Sequence, residues 1–211
     1  MPAPLTNAPD RKQPPRPNSA PEPQLDPRPR PDPETAVRSW LDDVVIGLGL
    51  CPFAAPPWRR NAVRLVVSET ADESHLLAQL HDELLRLDAA DPTELETTLV
   101  ILSGLFGAFE DFNQFLDPVD ALLHRCGWSG EFQVASFHPD YRFADTEADD
   151  PGNLTNRSPY PILHLIREES IAHAVRYYPD PEDIPTRNMA RLHLLDDADT
   201  ARLFPYLLTH Q

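Results

Sequence analysis

Three short runs rich in β-branched and aliphatic residues, Val63 to Val67, Thr97 to Leu102 and Phe132 to Phe137, set the limits on what this chain can fold into. Each has the length of a strand, and about 30 residues separate one from the next, an interval that suits parallel strands joined by crossover helices. Helical patterns fill the intervals. Leu76, Leu77, Leu80, Leu84 and Leu87 fall on one stripe, opened by Thr70-Ala-Asp-Glu73, which has the form of a capping box. Phe109, Phe112 and Leu116 mark a second stripe, which Val119, Leu122 and Leu123 continue past Asp117-Pro118, where the helix either kinks or restarts. Ahead of the first strand, Asp32-Pro33-Glu34 supplies a cap, a proline at the first helical position and an acid. Val37, Trp40, Leu41, Val44, Val45 and Leu48 then share one face. The expected architecture is an α/β or α+β domain, with a three-stranded, largely parallel sheet covered by helices. Leu163 to Tyr177 reads as a further helix, and Asp180-Pro-Glu-Asp183 opens a helical C-terminal part interrupted by Pro185 and Pro205.

Residues 1–33 differ from the rest, holding 12 of the 25 prolines and almost no aliphatic side chains. Such a segment buries too little apolar surface to offset its ordering entropy, so a disordered arm of polyproline II character is expected, as a spacer or as a proline-motif ligand. The globular domain is expected over 34–195, and 196–211 as a helical or frayed tail. The net charge is −16, and the arm is near neutral, so the folded part carries the excess acid. Nucleic acids and anionic membranes need a cationic footprint and are not expected partners. A small anionic ligand held by a local arginine cluster, or a protein partner with a basic surface, fits this charge. The sole lysine, Lys12, lies in the arm, which excludes a lysine Schiff base or a Walker A lysine in the domain. Cys51 and Cys126 are far apart. No apolar signal segment and no run of about 18 apolar residues is present, so a cytoplasmic, reduced location is expected.

The densest concentration of chemically capable side chains starts at the end of the third run. Ser136-Phe-His-Pro-Asp-Tyr-Arg-Phe143 leads through a polar stretch to Asn156-Arg-Ser-Pro-Tyr-Pro-Ile-Leu-His-Leu-Ile-Arg-Glu168. Open α/β sheets bind ligands beyond the carboxyl ends of their strands, here Ser68-Glu69, Ser103-Gly104 and His138-Pro139-Asp140. The proline stiffens the corner between His138 and Asp140, giving either an oriented acid–base pair or a plain surface turn. Arg142, Arg157 and Arg167 offer planar forks for an anion, with Tyr141, Asn156 and Ser158 assisting. Alternatively, they pair with Asp140, Asp145, Glu147, Asp149 and Asp150. His164 and Glu168, four apart on the expected helix, share a face. His164 is then a second proton-transfer group, or His138, Asp140, His164 and Glu168 form a metal site, or His164 is a partly buried structural histidine. Cys51 follows a helix C-terminus, where no helix dipole lowers its pKa, and reads as a buried thiol. With seven glycines the chain has no Gly-x-Gly-x-x-Gly, no P-loop and no Gly-x-Ser-x-Gly.

Leu50-Cys-Pro-Phe53, Asp111-Phe-Asn-Gln-Phe-Leu116, Phe137-His-Pro-Asp-Tyr-Arg-Phe143 and the motif from Asn156 to Glu168 occur in that order. On these motifs the chain, from about Glu34 to Leu195, resembles the bacterial family catalogued as domain of unknown function 1415. The resemblance implies a single domain in a cytoplasmic protein and implies no activity. From the residues, the leading expectation is an enzyme acting on a small anionic metabolite, with His138 as acid or base oriented by Asp140, and with no cofactor assigned. This expectation requires His138 and His164 to share a pocket with at least one arginine. The alternatives are a non-catalytic acidic interaction protein, whose polar segment is a structured Ω-type loop, and the metal-binding domain.

Overall fold

The helices form where their caps and stripes place them. In the computed structural model, which describes residues 32–209, Pro33–Trp40 (α1) begins at Asp32, whose side chain accepts a hydrogen bond from the Thr35 amide at 3.1 Å. The helix continues as a π-helical turn, Leu41–Ile46, and Val37, Trp40, Leu41 and Val44 are buried. Ala55–Arg59 (α2) is a short link. Glu73–Ala89 (α3) is capped by Asp72, which accepts from the His75 amide at 2.8 Å. Thr70, the expected cap, instead accepts from the Asp72 amide. Phe109–Arg125 (α4) runs unbroken through Pro118. Glu168–Arg176 (α5), Ile184–Leu192 (α6) and Asp197–Leu203 (α7) follow, with Pro185 in the first turn of α6 rather than interrupting it. The expected arm lies outside the described residues except for Asp32 and Pro33, which start α1. Within the expected tail, Leu203 and Phe204 are buried in the core.

Val63–Ser68 (β1), Thr97–Leu102 (β2) and Phe132–Phe137 (β3) coincide with the three β-branched runs, but the sheet has a fourth strand, Ile162–Arg167 (β4). The order is β1-β2-β4-β3, with β1 and β2 parallel and β4 antiparallel to both β2 and β3. β1, β2 and β3 therefore point the same way, as crossover helices require, while the inserted β4 makes the sheet mixed and the fold α+β. The helix expected from Leu163 to Tyr177 is corrected accordingly: strand to Arg167, helix only from Glu168. Pro159 and Pro161 bias the entry of this segment towards extended backbone. Ile162, Leu163 and Leu165 are fully buried between neighbouring strands, so the run lacks the alternation that marks a half-exposed strand.

The sheet separates two cores. Val100, Leu102, Leu163, Leu165 and Phe132 face α3 and α4, against Leu80, Leu84, Phe112 and Phe115. Leu99, Ile101 and Ile162 face the other way, against Val37, Trp40, Leu192 and Phe204. The carboxyl ends of β1, β2 and β3 meet at one rim, where the 138–158 segment leaves the sheet. No helix among the described residues is long and apolar enough to cross a membrane.

Candidate functional site

His138 is the first residue past β3, and its side chain is only 1% exposed. Its Nδ1 accepts the Asp140 amide at 3.0 Å, and its Nε2 lies 3.0 Å from the Phe106 carbonyl oxygen. A carbonyl only accepts, so Nε2 carries the proton and the ring is the neutral Nε2–H tautomer. The ring packs beside Phe109 and Phe112, at centroid distances of 5.5 and 5.4 Å. Phe106 has a φ of 62°, a costly value for a non-glycine residue, and its carbonyl is held by this imidazole. Asp140 meets this ring through its main-chain amide, and the residue is exposed.

The segment between His138 and Ser158 is a loop tied from within. The Arg157 Nε donates to the Tyr141 carbonyl at 3.2 Å and its Nη2 to the Ala148 carbonyl at 2.7 Å. Burial lowers the Arg157 pKa, partly opposed by the nearby Asp140 charge. Tyr206, beyond α7, donates its hydroxyl to the Arg157 carbonyl at 3.1 Å. Asn156 bridges back to β3, donating from Nδ2 to the Ser136 carbonyl and accepting the His138 amide. Ser158, fully buried, donates to the Tyr160 carbonyl at 2.5 Å. Asn153 is the hub that sequence reasoning missed. It is fully buried, its Oδ1 accepts from the Phe143 amide and the Thr146 hydroxyl, and its Nδ2 donates to the Glu147 carbonyl. The turn chemistry of Asp150-Pro151-Gly152-Asn153 was the signal that could have found it.

His164 lies on the opposite face of the sheet from His138, near Phe137, which packs on Trp40, rather than Phe112. The Thr97 hydroxyl donates its one proton to the Leu165 carbonyl at 2.5 Å, so the His164 Nε2, 2.7 Å from the same oxygen, is the donor. This ring too is neutral, and burial lowers its pKa from 6.5 to about 4. The two histidines share no pocket. His164 and Glu168 share no helix face, because one is in β4 and the other opens α5. Among the described residues no group of three or more His, Cys, Asp or Glu side chains is placed to hold a metal ion, so the set His138, Asp140, His164 and Glu168 is not assembled.

Arg167 is also far from the loop. Its Nη2 donates to the Leu87 and Ala90 carbonyls at the end of α3 and to the Leu95 carbonyl in the connection that follows, and its guanidinium lies over the Phe132 ring. It serves as a helix C-terminal cap rather than an anion clamp. Cys51 is partly buried and burial raises its pKa, as expected for a structural thiol. A cleft lined by Arg38, Trp58, Asn61 and Val63 sits at the amino end of β1, the other end of the sheet from the loop.

The outer surface of the loop is what remains available. Asp140, Arg142, Phe143, Ala144, Asp145, Glu147, Ala148 and Asp149 are exposed. Tyr141 props this rim from inside, its ring 5.1 Å from Phe109 and 5.0 Å from Phe143. A family model described as protein of unknown function (DUF1415) matches residues 32–202, which include the loop and all four strands. No curated protein and no solved structure matches the chain.

Proposed function

The chain belongs to the DUF1415 family, and we propose that its domain is a non-catalytic interaction module whose 138–158 loop presents an acidic rim to a positively charged protein partner. One observation carries this reading. The polar groups of the loop, buried His138, Asn153 and Ser158 and partly buried Asn156 and Arg157, are engaged with main-chain groups. Side chains so engaged position a loop, whereas a proton-transfer group needs to reach a substrate.

The residues left facing outward suit recognition. Asp140, Asp145, Glu147 and Asp149 are exposed on the same loop as Phe143, which is 39% exposed, on a chain of net charge −16. An exposed aromatic on an acidic loop supplies an anchor and a steering field. Arg142 and Tyr141 supply directional contacts within it. Because internal hydrogen bonds already order the loop, association costs little further backbone entropy.

The test compares equal charge losses at two places. Octaarginine binding is measured by calorimetry at physiological salt for the native chain, for Asp145→Asn/Glu147→Gln/Asp149→Asn, and for Asp82→Asn/Asp117→Asn/Asp120→Asn on exposed helix surfaces. The loop substitutions are expected to weaken binding about tenfold and the helix substitutions about twofold or less. Equal losses would mean that net charge alone attracts the peptide, and would refute a dedicated rim.

A further inference from the structure

β3 is an edge strand, and its outward main-chain groups can be identified. The Glu168 amide donates to the Glu131 carbonyl, which fixes 131 and 168 as a hydrogen-bonded pair. The continuous register Phe132↔Arg167 to Phe137↔Ile162 then turns Gln133, Ala135 and Phe137 towards β4 and Val134 and Ser136 away from it. Two further bonds agree with this phase: Asn156 reaches the Ser136 carbonyl, and the His138 amide reaches the Asn156 carbonyl, both from the outer side. Phe132 is already bridged in parallel to Ser129, so both Val134 groups and the Ser136 amide form the remaining outward row.

Exposed edges are ordinarily protected by a charged side chain, a proline or a bulge. Phe132-Gln-Val-Ala-Ser-Phe137 has no charge and no proline, and its one-to-one register leaves no room for a bulge. The opposite edge, β1, carries Arg64, paired with Glu83 at 2.8 Å. Exposed Glu131 and Asp140 bracket β3, and the acidic loop rim continues directly from its end.

We propose that β3 is an addition site where an extended, proline-free, positively charged segment of a partner protein pairs as a fifth strand and reaches the loop rim. The inference rests on the interaction reading above and supplies its binding mode. Charge selects the occupant. A second copy of this chain brings another −16, whereas a cationic segment meets Glu131, Asp140 and the rim with complementary sign. Residues 1–33 suit the ladder poorly, because no more than four residues separate successive prolines there.

The experiment uses the full chain and a short synthetic peptide alternating arginine and valine. A second peptide of the same sequence has its ladder-forming amides N-methylated, which keeps the charge and removes the main-chain donors. The first peptide is expected to slow hydrogen exchange at the Val134 and Ser136 amides, and N-methylation to weaken binding about tenfold or more. Equal affinity for the two peptides, or binding without protection at Val134 and Ser136, overturns the edge site. So does protection of these amides in the peptide-free chain, whether independent of protein concentration or growing with it as a second copy pairs. The loop variant Asp145→Asn/Glu147→Gln/Asp149→Asn separates the two proposals. Loss of binding by that variant without β3 protection in the native chain keeps the rim and removes the edge. Full β3 protection and unchanged affinity in the variant keep the edge and remove the rim.

Discussion

His138 and His164 are both neutral Nε2–H tautomers, held by different partners on opposite faces of one sheet. His138 joins two loops through the Phe106 carbonyl and the Asp140 amide, so its removal costs two hydrogen bonds and the restraint on a left-handed Phe106. His138→Ala is expected to lower stability by about 2–4 kcal/mol in urea unfolding. A loss below about 0.5 kcal/mol, the usual range of surface changes, would show that the imidazole does not hold the loops. For His164 the folded pKa, about 4, lies below the ordinary 6.5, so the unfolded chain binds the proton more tightly. This contribution is fully present above about pH 6.5 and is lost as pH falls towards 4, up to about 3 kcal/mol. His164→Leu is expected to flatten that part of the stability–pH curve. An unchanged slope would place the titrating group elsewhere.

At the scale of elements, the links between helices and sheet depend on few side chains. Arg167, at the end of β4, holds carbonyls at the end of α3 and in the connection to β2. Arg167→Ala is expected to cost about 2–3 kcal/mol, and Arg167→Lys to recover less than half of that. A compact ammonium has no planar group to lie flat over Phe132 while it reaches these carbonyls. Thermal unfolding of the two variants decides it, and equal behaviour of Lys and Arg would reduce the contact to simple charge. The Asp72 cap of α3 is the smaller device: Asp72→Ala is expected to lose about 1 kcal/mol. β4 itself shows why periodicity misled. Its residues are buried on both faces, and no glycine or proline separates Arg167 from the helix that follows, so strand and helix merge into one apolar stretch. Pro159 and Pro161 were the legible clue to extended backbone.

Across the whole molecule the governing quantity is the net charge of −16. Self-repulsion of this size opposes compaction and is screened by salt, so the melting temperature is expected to rise by a few degrees between roughly 10 and 200 mM sodium chloride. A fall over that range would mean that local ion pairs outweigh the net repulsion. By itself the sequence determined the three strands at 63–67, 97–102 and 132–137, the intervening helices and the rim where the polar segment leaves the sheet. These follow from local periodicity and caps, which any short window of residues carries. Only the tertiary structure decided that β4 enters between β2 and β3, because strand pairing is a contact between distant residues. The same insertion divides the predicted site. It sends His164 to one face and Arg167 to the end of α3, and leaves His138, Asn156 and Arg157 bonded to main-chain groups. Whether a polar side chain meets a ligand or a carbonyl depends on what the fold brings within about 3 Å of it, and residue type alone does not carry that distance.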